Sequence, residues 1–231
     1  MTIAAARVLE VSEAPTAGAE AYHFLFRAPL PLEVTVAAMR ALRLAALRQF
    51  RGPAPEWVSG HAPDGRVSTE DHIAWLPVIH AGWLIGAEAL FPDGVGVHQR
   101  DRLAGLLSQV DQMHLDGRPV EVTALNRGIS QSVLCCAATW VSVTPVSCTV
   151  HLRRQRTPAQ ALARMCRDAG LPSAVEGEFL DRPTVLKGLP EHTRRFYLKH
   201  ARLRFASPIT GPVRLGALRF LGGGWFAPEE G

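Results

Sequence analysis

Residues 200–228 read HARLRFASPITGPVRLGALRFLGGGWFAP and combine spaced arginines with a run of glycines. Arg202, Arg204, Arg214 and Arg219 alternate with Leu203, Phe205, Leu215 and Phe220. This alternation predicts two paired strands, 201–207 and 213–220, turned at Gly211-Pro212. Gly222, Gly223 and Gly224 follow. Arginine offers a planar fork of donors to phosphate, and glycine lets a backbone approach it closely. A basic hairpin beside a glycine-rich loop therefore suits a polyanion. Just upstream, HTRRFYLKH adds Arg194, Arg195, Tyr197 and Lys199. That segment reads either as an RNA-contact patch with Tyr197 stacking on a base or as an amphipathic surface strand.

The charge distribution supports the polyanion reading. The net charge is +4 over 231 residues, but residues 1–150 balance to −3 and residues 151–231 to +7. An Arg-rich end is an electrostatic footprint for nucleic acid. Hydrophobic residues make up 47% and charged residues 20%, enough for a packed core and against global disorder. No apolar window approaches the ~20 residues of a membrane helix, and the first residues lack the order of a secretory signal. The expectation is a soluble, cytoplasmic protein with no membrane partner. Cys135, Cys136, Cys148 and Cys166 form no C-x-x-C pair, which favours buried thiols over metal ligands or disulfides.

Elements must position these side chains. Residues 21–27 alternate as a strand, closed by Pro29 and Pro31. Residues 34–50 carry apolar positions at helical spacing, and 57–69 read as a loop. Residues 71–80 and 83–91 predict strands joined at Ala81-Gly82, 97–113 a helix, and 120–125 and 133–143 further strands. Strand, helix, strand, strand, helix, strand is the ferredoxin-like order, which also underlies RNA-recognition sheets. Residues 158–168 predict a helix capped by Thr157 and stopped at Gly170; 171–183 read as loop. The expected architecture is α+β: tandem ferredoxin-like folds with antiparallel sheets, a first half over 1–130 and a degenerate second half over 131–231.

WVSGHAPDGR, DHIAWLPVIHAGWLIGAEALFP, ATWVSVTPV and the C-terminal ARLRF…GGGWF, in that order, resemble the repeat-processing endoribonuclease of type I-U (I-G) CRISPR systems. That family belongs to the RAMP superfamily, and the sequence resembles its nuclease-like module alone. The resemblance implies cleavage of CRISPR precursor RNA within repeats, with no metal and no cofactor. The 2′-hydroxyl would attack the adjacent phosphate, leaving a 2′,3′-cyclic phosphate and a 5′-hydroxyl. Implied partners are CRISPR repeat RNA and other subunits of a type I interference complex. The alternative within the same superfamily is an inert subunit that holds the guide RNA handle.

Under that resemblance the reaction needs a base, an acid and a cation at the phosphorane. His61, in the loop after the first predicted helix, is the first candidate and His72 the second, with Tyr22 assisting. Their ordinary alternatives are a capping loop histidine, a sheet-edge hydrogen bond and a core tyrosine. Arg43 could reach a phosphate from the helix. Asp64, Glu70 and Asp71 make a divalent site conceivable, though no metal is expected.

Overall fold

The computed structural model describes residues 20–62, 64–66, 68, 71–130, 135–149, 157–193 and 196–229. The first sheet contains β1 (Glu20–Pro31), β2 (Ala74–His80), β3 (Trp83–Leu90), β4 (Gln112–Leu115) and β5 (Arg118–Ile129). Their order is β2-β3-β1-β5-β4, with every neighbouring pair antiparallel. Between β1 and β2 lie helix α1 (Thr35–Leu47) and the short turn α2 (Glu56–Ser59). Helix α3 (Val97–Leu107) connects β3 to β4. With β4 set aside as an added edge strand, this is the ferredoxin-like order. Period-two alternation in β1 sends Tyr22, Phe24 and Phe26 into one core with Met39 and Leu42 of α1 and Leu103 and Leu107 of α3.

The second sheet contains β6 (Cys136–Ser142), β7 (Val146–Cys148), β8 (Glu176–Leu180), β9 (Tyr197–Thr210), β10 (Val213–Arg214) and β11 (Trp225–Pro228). Strands β6 and β7 pair with successive parts of β9, so they act as one interrupted strand. Strand β8 pairs with β9, and β11 pairs with β6. The ferredoxin-like order recurs, with a turn-rich segment where the second crossover helix would be. Helix α4 (Pro158–Asp168) covers this sheet with Ala161, Leu162, Met165 and Cys166. As expected, Thr157 caps it: its hydroxyl accepts the N–H of Gln160 while the Gln160 side chain accepts that of Thr157. Among the described residues no helix is long and apolar enough to cross a membrane.

Several elements differ from those expected from the sequence. The strands expected over 201–207 and 213–220 do not form a hairpin: β9 pairs β6, β7 and β8, while β10 pairs β11. β9 is thus flanked on both sides by other strands. β1 runs through Pro29 and Pro31, because a register shift between Leu25 and Leu30 leaves Pro29 outside the β3 ladder. The helix expected over 97–113 ends at Leu107, and Met113 belongs to β4. The β4–β5 hairpin turns on Asp116-Gly117, both at positive φ, a dipeptide that favours such a turn. β8 lies inside a segment read as loop. Of the thiols, Cys148 and Cys166 are buried, but Cys136 is exposed.

The C-terminal segment closes the open edge of the first sheet. The Trp75 N–H of β2 donates to the Phe220 carbonyl at 3.0 Å, and Trp75 and Leu221 form a parallel bridge. Leu221 packs with the helix-covered core, whereas Phe220 packs with Ala21, Ala74, Leu76 and Leu90 on the opposite face. Pro77 takes the next outward-facing edge position, where an N–H would otherwise need a partner. The edge is thus closed partly by a strap and partly by a residue with nothing to donate.

Candidate active site

α2 ends at Gly60, whose φ of +66° is left-handed and whose N–H donates to Glu56 at 2.7 Å. Glycine is needed there twice over, because a Cβ at that position would sit 2.8 Å from His72 Cδ2. Ser59 then clamps the next residue. Its hydroxyl donates to the His61 carbonyl at 3.1 Å and accepts the His61 N–H at 3.2 Å. The His61 ring Nδ1 lies 2.9 Å from the Ser59 carbonyl oxygen. A carbonyl only accepts, so this contact assigns the proton to Nδ1 and leaves Nε2 with the lone pair on an exposed residue.

Arg43 donates to the same Ser59 carbonyl, and its Nη2 is 3.3 Å from His61 Nδ1. Both nitrogens are donors, so they share an acceptor rather than bond to each other. Burial, then the nearby Arg40 charge, pushes the Arg43 guanidinium below its ordinary range. It lies on α1 one turn beyond Met39, the side chain nearest a Cβ placed at Gly222. Helix α1 therefore carries the cation at one level and the strap contact at the next.

His72 precedes β2 by two residues, and its ring stacks on Phe220 with centroids 4.0 Å apart. Two guanidinium carbons lie against that same Phe220 ring, Arg219 at 4.7 Å and Arg214 at 5.3 Å from its centroid. Arg214 Nη1 is out of solvent and has no hydrogen-bond partner. Burial, then the Arg219 charge, pushes Arg214 down to about 10, with Asp71 acting the other way. Burial also lowers Arg219, opposed by Asp71 and Asp168. The strap thus brings an aromatic ring and two desolvated cations to the imidazole that lies against Gly60.

The other expected site residues are placed elsewhere. Tyr22 is a core residue, 4% exposed and stacked on Phe24 at 5.2 Å. Burial raises its phenol above the ordinary range, so the assisting role suggested for it gives way to packing. Arg202 holds Glu178 at 2.8 Å and Glu229 at 2.6 Å, and Arg204 holds Glu176 at 3.2 Å. These arginines face carboxylates of β8 and of Glu229 instead of standing unpaired for RNA. Gly222, Gly223 and Gly224 are buried. The N–H groups of Gly223 and Gly224 are taken by the Leu218 and Pro145 carbonyls, at 3.1 and 2.9 Å. Gly224 has φ +60°, and a Cβ there would fall 1.9 Å from the Leu215 carbonyl oxygen. The phosphate cradle expected at these glycines is instead a tightly packed turn.

Tyr197 and Lys199 are exposed near the start of β9. Arg194, Arg195 and Glu70 lie outside the described residues. Asp64 pairs with Arg66 at 3.3 Å. Among the described residues, no three His, Cys, Asp or Glu side chains are grouped to hold a metal. Phe220 was not among the expected site residues, and Arg219, expected in a strand over 213–220, lies in a turn. The Arg-Phe pair was a visible signal, but its meeting with His72 depends on the strap over the β2 edge, which no local pattern encodes.

No family model matches the chain, and no curated protein does. Two solved structures are similar in outline. One is titled a Cas6 product complex, 14% identical over 92% of this chain and 100% of the other, with a TM-score of 0.48. The second is a CRISPR-associated protein Cas6, 9% identical over 91% of this chain and 98% of the other, also at a TM-score of 0.48. Neither overlap is deep enough to assign an activity.

Proposed function

We propose that this protein is a metal-independent endoribonuclease acting on CRISPR repeat RNA. The observation that carries the reading is His61, clamped through its backbone by Ser59, with a lone pair facing outward beside a desolvated guanidinium. Nε2 of His61 takes the proton of the RNA 2′-hydroxyl. That oxygen attacks the adjacent phosphorus, and Arg43 offsets the charge gathering on the phosphorane. His72, held against Gly60 and Phe220, is the second imidazole of the site and protonates the departing 5′-oxygen. The P–O5′ bond breaks as the new P–O2′ bond forms, leaving a 2′,3′-cyclic phosphate and a 5′-hydroxyl.

The order of motifs along the chain supports CRISPR repeat RNA as substrate, and the positive C-terminal third supports a polyanion in general. The test is incubation of a repeat stem-loop RNA in excess EDTA, with both new ends mapped. The expected result is one cut carrying a cyclic phosphate. Loss of cleavage in EDTA, or a 5′-phosphate product, contradicts the mechanism. Tight binding with no cut makes the chain a holder of the guide RNA handle instead.

A further inference from the structure

Arg214 and Arg219 are not used by the chemistry above, yet they are among the least compensated charges in the described structure. Both converge on the Phe220 ring, at 5.3 and 4.7 Å. Arg214 buries Nη1 without any partner. Neither arginine has a carboxylate within ion-pair distance among the described residues; Asp71 acts on both and Asp168 on Arg219 only at longer range. Arg202 also leaves one nitrogen, Nε, unpartnered, but its two terminal nitrogens hold Glu178 and Glu229. A buried charged donor with no acceptor is costly and rarely kept without a ligand to complete it.

We infer that Arg214, Arg219 and Phe220 form a second phosphate subsite beside His72, which takes a phosphodiester flanking the one that is cut. Arg219, the more open of the two, makes the direct contact. Arg214, the more buried of the two, lies against the same ring and adds a positive field that water screens poorly. Phosphate suits the pair better than a single carboxylate, because the planar fork of Arg219 can hold two of its oxygens while the Arg214 charge favours the more negative ion. With Arg43 beside His61, the site then grips the RNA backbone at a second point, which fixes the ribose for attack.

The phosphodiester assignment rests on the RNA reading of the site, and the test separates the two. First, thermal unfolding is followed in inorganic phosphate against chloride at equal ionic strength, for wild type, Arg219→Gln, Arg214→Gln and Arg204→Gln. Phosphate stabilises many proteins by exclusion, so the readout is the difference between variants. Wild type and Arg204→Gln should gain more than Arg219→Gln and Arg214→Gln. If Arg214→Gln does not fold, Arg219→Gln alone decides. An equal gain in wild type and Arg219→Gln overturns the subsite. Second, repeat RNA blocked by a 2′-deoxy at the cut carries one methylphosphonate, moved along successive linkages. One position beside the cut should weaken wild-type binding roughly tenfold and leave Arg219→Gln nearly unchanged. A phosphate response without that coupling makes the site one for free phosphate and overturns its assignment to the RNA. Coupling on an RNA that wild type never cuts removes the nuclease reading and keeps the subsite.

Discussion

Two groups of arginines, both prominent in the sequence, are treated in opposite ways by the fold. On the β8–β9 face, Arg202 and Arg204 are partly open to water and tied to Glu178, Glu229 and Glu176. At the junction of the two sheets, Arg43, Arg214 and Arg219 are drawn out of water, none of them has a carboxylate at ion-pair distance among the described residues, and burial lowers all three. Exposed ion pairs contribute little and are screened by salt. Desolvated cations without a counter-charge are a standing cost, and one that an anionic ligand offsets. The density of positive charge in a sequence therefore misleads about where a polyanion binds; the decisive property is whether the fold has already supplied each charge with a partner.

The largest effect is expected from dismantling the junction. Gly224→Ala places a Cβ against the Leu215 carbonyl at a left-handed position. It should destabilise the protein by roughly 3 kcal/mol and release the strap from the β2 edge, seen as a lower denaturation midpoint and lost protection at the Trp75 amide. A next, smaller effect comes from Arg43→Gln, which should slow single-turnover cleavage roughly 10- to 100-fold with the fold intact. Arg204→Gln sharpens the contrast by its mildness: cleavage and repeat-RNA affinity should stay close to wild type, measured by filter binding at two salt concentrations. If Arg204→Gln weakens RNA binding as much as Arg219→Gln does, the division between the two groups fails.

The smallest expected effect is in pH. His200 of β9 is buried between the Ser142 and Pro183 backbones, and burial is the main cause that lowers it below the ordinary 6.5, with Arg182 acting in the same direction. The unfolded chain then binds a proton that the folded one resists. Stability should be full above the ordinary histidine range and fall as pH drops through it. His200→Gln should flatten that slope in thermal melts from pH 8 to about 5. A slope unchanged by the substitution assigns the acid sensitivity elsewhere.

Where a local pattern dictates structure, the sequence was legible. α1 and α4 follow from 3.6-residue spacing and the Thr157 cap, and β2–β3 from alternation around Ala81-Gly82. The pairing of His61 with Arg43 was legible only in part, as a loop histidine after a basic helix. The glycines were misread because a glycine cluster looks alike whether its space is left for a ligand or filled by Met39, Leu218 and Leu215. Arg202 and Arg204 were misread because their partners lie in β8, a strand hidden in a segment of loop-like composition, and at the C-terminus. Phe220 reaches His72 through a long-range edge contact, and such contacts leave no trace in a window of neighbouring residues.

In the proposed reaction an imidazole, not a bound ion, moves the proton at the junction. The most direct measurement is single-turnover cleavage of repeat RNA by wild type and His61→Ala at saturating protein, with RNA affinity measured in parallel. The expected result is a rate lower by roughly 10²- to 10⁴-fold at unchanged affinity. A His61→Ala protein that binds and cuts as fast as wild type contradicts it.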